Sequence, residues 1–396
     1  MTKIDDRTTH RTPAEASRTL RILVLNSGYL SAVPSGGDRH LLALGGALGE
    51  DHRVDYVAPD AVRKLLPETV RPVVFRSGLP RSLLATLAVY AYRTVRASFV
   101  AWRRRADVVL ASPGLFDALP AALHHRRFRS RTVVFAFHIG DPSGQRSRSW
   151  IQRRLALMAQ TLAARLWLRA DVVVTSTEEV AGQLRAMGVP ADRILLQRPC
   201  VDVGGIRAST PADDAPDVLF VGRLVRRKGV FDLLEAAAAH SASVGLVGDG
   251  EERERLGEEI RRRGLDERVT LYGPVSDARL WSLLRGARCL VLPSYEEGYS
   301  LVIAEALVAE IPVLAYDLPH YSEVFGEAIT RVPCGDAVTL GREIHALLTG
   351  QRTQEQETCR AASHTVKIGT SATAASALLR RLKSARHAEL STAETV

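Results

Sequence analysis

The sequence predicts two doubly wound α/β domains facing a central cleft, on three observations. Short branched apolar runs alternate with amphipathic stretches through residues 21–202. The same alternation restarts at Asp217 and continues to about residue 366. Between the halves, residues 203–216 are turn-prone and polar, with Gly204-Gly205, Pro211 and Pro216, and read as a linker. Strand–helix alternation of this kind makes a parallel sheet with helices on both faces. At 396 residues the chain is too long for one ordinary core.

In chain order, residues 1–20 are polar and carry Lys3, Asp5, Asp6, Arg7, Arg11, Glu15 and Arg18; they are expected to be a disordered N-terminal segment with no signal peptide. Arg21–Asn26 (RILVLN) is a buried parallel strand by composition. A turn through Pro34, Ser35, Gly36 and Gly37 leads into an amphipathic helix carrying Leu41, Leu42, Leu44 and Leu48. Val54–Ala58, Val108–Ala111, Thr132–Phe137 and Val172–Ser176 are further strand candidates. In the second half, strands are expected at Asp217–Val221, Val244–Val247, Val269–Tyr272, Cys289–Leu292 and Val313–Ala315, with a helix from about Val230 to His240. Residues 367–396 read as a helix (Ala372–Lys383) followed by a frayed tail.

Composition sets limits. Hydrophobic residues make up 46% and charged residues 24%, enough to bury a core and incompatible with global disorder. The four cysteines (Cys200, Cys289, Cys334, Cys359) are scattered without a C-x-x-C, so neither a disulfide framework nor a zinc knuckle is indicated, and a reduced cytoplasmic compartment is expected. The longest nearly uncharged apolar window, Ser82–Tyr92, falls far short of the ~20 residues that span a bilayer. Charge is uneven. Residues 1–202 hold 30 Lys+Arg against 17 Asp+Glu, whereas the remainder holds 23 against 27. Either the first half faces something anionic, or the excess is a general arginine bias.

Ligands of doubly wound sheets sit at the carboxyl ends of the strands, and four clusters lie there. Gly36 and Gly37 precede a helix, where free N–H groups and the helix dipole favour an anion; a plain strand-to-helix turn is the alternative. Arg223 and Lys228, in Gly222–Gly229 (GRLVRRKG), are two cations that could clamp a diphosphate; a solvated basic loop is the alternative, and the better one for this cluster taken alone. Glu297 and Glu305 lie eight positions apart in PSYEEGYSLVIAEA, with Glu305 embedded in the apolar start of a helix. There a carboxylate is costly unless hydrogen-bonded, and vicinal ribose hydroxyls would satisfy it. His138 ends an apolar strand, as either a structural or a functional histidine.

Together GRLVRRKG, the E-x7-E segment, VGDGEERERL and RVTLYGPVSDARLW resemble the family 4 glycosyltransferases of GT-B fold, whose two domains are Rossmann-like. The resemblance runs from about Arg21 to Val324. It implies a retaining, metal-independent enzyme that uses a nucleotide-diphosphate sugar of UDP or GDP type as co-substrate, with no cofactor. It further implies that Arg223 and Lys228 hold the diphosphate, that Glu305 binds the ribose and that Glu297 lies over the donor sugar, the catalytic pair being Glu297 and His138. Ser300 and Leu301 would offer backbone amides, Val275 would lie beside the base, and Gly37, with Gly36, would close onto the phosphates. The sequence departs from the family pattern at Pro199-Cys200, at Glu310 where a glycine is usual, and in the loop Asp317–Glu323 that commonly neighbours the donor sugar.

Two rival readings share the architecture: a sugar-nucleotide epimerase, which needs more acid/base groups than the clusters offer, and a non-catalytic nucleotide-sugar-binding protein. Nucleic-acid binding would explain the basic half but not the acidic pair. The acceptor is a sugar, a lipid-linked sugar or a small aglycone. Arg81–Arg105 and Ser147–Arg169 mix apolar and basic residues, so each is either an amphipathic helix packed on the sheet or a surface for an anionic membrane.

Overall fold

A computed structural model describes residues 19–27, 35–75, 83–137, 150–238, 240–351 and 364–393, together with positions 357 and 361. Two wholly parallel sheets carry the fold. The first contains β1 (Arg21–Leu25), β2 (Arg53–Pro59), β3 (Arg71–Phe75), β4 (Val108–Ala111), β5 (Arg131–Phe135), β6 (Val172–Thr175) and β7 (Ile194–Leu196), in the order β3-β2-β1-β4-β5-β6-β7. The second contains β8 (Val218–Val221), β9 (Val244–Val247), β10 (Val269–Gly273), β11 (Cys289–Leu292), β12 (Val313–Tyr316) and β13 (Thr330–Val332), in the order β10-β9-β8-β11-β12-β13. Strand order reverses at β1/β4 and at β8/β11, the switch points at which such sheets bind ligands.

In the first domain the strand pleat separates two cores. Ile22, Val24, Val54, Tyr56, Val108 and Val133 face α1 (Gly36–Asp51), whose Leu41, Leu44 and Leu48 are buried against them. Leu23, Leu25, Val109 and Val134 face the other way, under α2 (Leu83–Arg103), α3 (Leu115–Phe128), α4 (Trp150–Trp167) and α5 (Glu178–Ala186). Alternation along each strand thus assigns helices to both faces. The second domain has one continuous core under α6 (Val203–Ala208), α7 (Val230–Ala237), α8 (Arg253–Arg262), α9 (Asp277–Gly286), α10 (Leu301–Val308), α11 (Tyr321–Phe325) and α12 (Ala337–Leu348).

Three strands lie outside the sequence expectation: β3, β7 and β13, each of which is a sheet edge. Residues 203–216 are not featureless. They contain α6, capped by the Asp202 carboxylate accepting from the Gly205 N–H at 2.8 Å, and Ile206 is fully buried in the second core. The final helix, α13 (Ser371–Ala393), is longer than expected and returns to the first domain, where Ala374, Leu378 and Leu382 pack with α1. Residues 1–18 lie outside those described.

Candidate donor site

Two loops of the second domain are stitched together where the cations and Glu297 meet. After β8, Gly222-Arg223 leads into a single 3-10 turn, Arg226–Lys228, closed by Gly229 in the left-handed region (φ 64°). A Cβ on Gly229 would collide with the carbonyl oxygen of Pro293, so only glycine lets this turn lie against the loop after β11. The Tyr295 N–H donates to the Arg227 carbonyl at 2.9 Å and fastens the same two loops. Lys228 Nζ thereby lands on Glu297 Oε1, and the Ser294 hydroxyl donates to that oxygen at 2.8 Å. Burial pushes the Lys228 ammonium below its ordinary range; Glu297 opposes the shift and Arg227 and Arg223 add to it. Arg223 is wetted yet crowded, as a cleft side chain is, and it too is lowered by burial and by Arg227, with Glu297 and Asp38 acting the other way.

Glu305 projects from α10 and is 2% exposed. Its Oε1 accepts from Arg39 Nη2 at 2.9 Å; Arg39 also reaches Asp277 Oδ1 at 3.1 Å. Burial raises the Glu305 carboxyl, and Arg39 opposes the rise. Oε2 has no hydrogen-bond partner among the described residues, nor has the buried indole Nε1 of Trp281, which is near enough to favour the carboxylate without reaching bonding geometry. Ser300, at the N-cap of α10, is held at φ 69°, an uncommon conformation for a residue with a side chain. Val275 is half-buried, one residue before Ser276, whose hydroxyl accepts from the Arg279 N–H at 3.3 Å to cap α9. It therefore lies at the same helix end as Asp277.

Across the cleft, Ser35 and Asp38 form a reciprocal capping box at the start of α1. A Cβ on Gly36 would meet Leu301 Cβ at 3.7 Å, which places the start of α1 opposite the start of α10. A Cβ on Gly37 would meet the Phe137 ring, also at 3.7 Å, and the Ser35 hydroxyl at 3.9 Å. These are ordinary contacts, so packing within the protein does not demand glycine at either position. Arg223, Lys228 and Glu297 thus form one group, while Gly36, Leu301 and Glu305 form a second that Arg39 bridges. His138 lies outside the described residues.

Several site residues escaped the sequence reading. Arg39 is the main one; a cation in the first turn of a helix opposes the helix dipole, and that was its one signal. The departures from the family pattern also acquire a physical account. Glu310 adopts φ 61° in the usual glycine slot. The loop Asp317–Glu323 reaches across the cleft: His320 Nδ1 lies 3.1 Å from Glu179 Oε2, and the Glu323 carboxylate accepts from the Glu178 N–H at 3.0 Å, capping α5, and pairs with Arg198 at 3.4 Å. His320 is buried with its Nε2 unpartnered among the described residues, and it and the unpartnered Tyr321 hydroxyl both feel the Glu297 charge. His40 has an Nε2 that is likewise unpartnered among the described residues, but its Nδ1 accepts from the Cys200 N–H at 3.0 Å, and burial lowers the ring to about 3.

Two parallel domains meeting at their strand ends, with a cationic pair and a buried acid in the gap, make a GT-B architecture. Residues 34–204 match the model of Glycosyltransferase Family 4, and residues 205–364 match that of Glycosyl transferases group 1. The chain belongs to the GT4-like group 1 glycosyltransferases. Among its relatives, 2-deoxystreptamine N-acetyl-D-glucosaminyltransferase of Streptomyces fradiae is 28% identical over 213 residues, 48% of this chain and 50% of the relative. Alpha-D-kanosaminyltransferase of Streptomyces kanamyceticus is 34% identical over 125 residues, 30% of this chain and 32% of the relative. The matches thus span between about a third and a half of these curated relatives' length. Among solved structures, sucrose-phosphate synthase of Thermosynechococcus elongatus has a TM-score of 0.75 at 21% identity, covering 92% of this chain and 100% of that one. Anabaena HepE, solved in complex with UDP and glucose, has a TM-score of 0.71 at 20% identity with the same coverage. At such identities the likeness establishes the fold.

Proposed function

We propose that this chain transfers a sugar from a UDP- or GDP-type nucleotide-diphosphate sugar to a hydroxyl of a sugar-like acceptor, free or lipid-linked, with retention of anomeric configuration and without a metal ion. The observation that carries the reading is Lys228 held on Glu297 beside Arg223, facing a cleft whose far wall is the start of α1. Arg223 offers a bidentate fork and Lys228 a point charge to the diphosphate, and both neutralise the charge that grows as it departs. Glu305, with one oxygen unpartnered, accepts from the ribose diol. Val275 borders the base. The amides of Ser300 and Leu301, at the open end of α10, point at phosphate or sugar. Gly36 and Gly37 leave the backbone of α1 bare where the diphosphate closes in.

Transfer proceeds on one face of the sugar. The glycosidic carbon–oxygen bond to the diphosphate breaks as the acceptor oxygen bonds to the same face, and a phosphate oxygen takes the acceptor proton. Glu297 anchors Lys228 and accepts from donor-sugar hydroxyls; His138 meets the donor sugar from the other domain. A carboxylate already engaged by an ammonium and a serine hydroxyl is poorly suited to be a covalent nucleophile, which favours the single-face route.

The test is a donor panel ranked by thermal shift, followed by turnover with an acceptor mixture in the presence of EDTA, with product configuration read by NMR. The expected product keeps the donor's anomeric configuration, and Lys228→Met lowers kcat by about a hundredfold or more. An inverted product, or a Lys228→Met chain as fast as the parent, would overturn the assignment.

A further inference from the structure

The flank formed by α2, α3 and α4 lies outside the transfer machinery and is unlike the rest of the surface. These helices lie side by side over one face of the first sheet, with α3 between the other two. Their inward residues include the small, fully buried Ala97, Ala101, Ala121 and Ala163, with Arg93 and Trp167 buried beside them. Their outward residues are large and apolar: Val95, Phe99 and Trp102 on α2 and Leu157, Met158 and Leu162 on α4 are 41–69% exposed. Leu119 and Leu123 on α3 fill the strip between. Nine of the thirteen large hydrophobics exposed among the described residues sit on these three helices, so this is a patch rather than scatter.

The charges on this flank have one sign. α2 and α4 contain no Asp or Glu, and α3 contains only Asp117, which is fully buried against Ser27 and Ser112. Exposed cations lie among the apolar residues: Arg96 and Arg103 on α2, Arg126 and Arg127 on α3, Arg165 on α4. The Arg127 guanidinium sits 4.0 Å above the Trp102 ring, with its charge stationed at the level of the apolar side chains. Two amphipathic segments visible in the sequence are therefore one continuous face, completed by α3.

We infer that this flank docks on an anionic lipid surface. Apolar side chains at intervals of three to four residues, ringed by arginines and free of exposed carboxylates, fit the boundary between acyl chains and anionic headgroups. A protein partner would be expected to meet carboxylates as well as cations on a surface of this size. Among the described residues no helix is long and apolar enough to cross a membrane, so the contact is peripheral. Helices of a parallel sheet start at the strands' carboxyl ends, so the N-terminal edge of this flank borders the cleft. A docked chain therefore holds its acceptor side next to the headgroups, whatever donor it uses.

Vesicle co-sedimentation of the full chain tests the inference. The chain is expected to bind vesicles of phosphatidylcholine mixed with phosphatidylglycerol, to leave pure phosphatidylcholine vesicles largely free, and to be released by salt. Phe99→Glu with Met158→Glu should lower the partition by about tenfold or more while leaving UDP binding and melting temperature unchanged. Arg96→Gln with Arg165→Gln should weaken the preference for phosphatidylglycerol, and this second pair serves if the first does not fold. Binding to neither vesicle, equal binding to both, or undiminished binding of both variants would overturn the inference. So would a dimer in sedimentation velocity that dissociates on Phe99→Glu, since a second copy would then cover the face.

Discussion

At the scale of single residues, Glu305, the proposed ribose ligand, is a buried carboxyl that costs the fold stability. Burial raises its carboxyl, and the attraction of Arg39 opposes but does not cancel the rise. A carboxyl that titrates higher in the folded chain than in the unfolded one binds its proton more tightly when folded. Stability therefore falls as pH climbs from the ordinary carboxylate range through the raised value, and the penalty is complete above it. Glu305→Gln removes the charge and keeps the shape, while Arg39 retains Asp277. The variant should melt a few degrees above the parent at neutral pH, with the gap closing in acid, as followed by calorimetry across pH. Its affinity for the donor nucleotide, UDP or GDP, should fall about tenfold or more if Glu305 accepts from the ribose as proposed, because a neutral amide is a weaker partner for two hydroxyls. A lower melting point would mean that the Arg39 contact outweighs the desolvation of the acid. The acid itself was legible, because an apolar helix start makes a lone carboxylate conspicuous. Arg39 was not, because its partner lies 266 positions away and only the folded cleft joins them.

At the scale of elements, the sheet centres were readable, and of the four edge strands only β10 was. Strands β4, β9 and β11 are buried on both faces and read as unbroken apolar runs. Edge strand β3 begins Arg71-Pro72 with its first two residues exposed, and β7 is three residues long, so neither carries a run from which a strand could be inferred. Helix α6 hid for a related reason: in six residues it has two glycines and one fully buried side chain, Ile206. The loop pair that carries Lys228 and Glu297 was legible as motifs, but the device that joins them is a backbone fit. Gly229→Ala should test it. The new Cβ would press on the Pro293 carbonyl in a conformation that already disfavours side chains, with an expected loss of ~2 kcal/mol or more in urea unfolding. Donor affinity should fall with it, as the two loops part. A variant with parental affinity would show that Lys228 does not depend on this fit.

At the scale of the molecule, the two domains are joined twice. The chain crosses outward at Cys200-Val201 and returns at Gly369 before α13 docks on α1. The two crossings run side by side as a parallel bridge, with the Val201 N–H donating to the Gly369 carbonyl at 2.8 Å. Paired crossings restrict the domains to opening and closing about one line, which is the motion that would bring Arg39 to Glu305 and His320 to Glu179. The Pro199-Cys200 departure sits on this line, where the Cys200 N–H is committed to His40. The return strand leaves no room for a side chain, since a Cβ on Gly369 would collide with the Arg198 carbonyl and come within 2.6 Å of that of Pro199. Gly369→Ala should therefore spread the crossings and bias the chain toward an open cleft. The expected signature is a larger radius of gyration in solution scattering without donor, a KM that rises and a kcat that falls together, and a partial return to the parental radius on adding the donor's nucleoside diphosphate, UDP or GDP. If the variant scatters and turns over like the parent, the bridge is a passive seam and closure is governed by the cleft contacts alone.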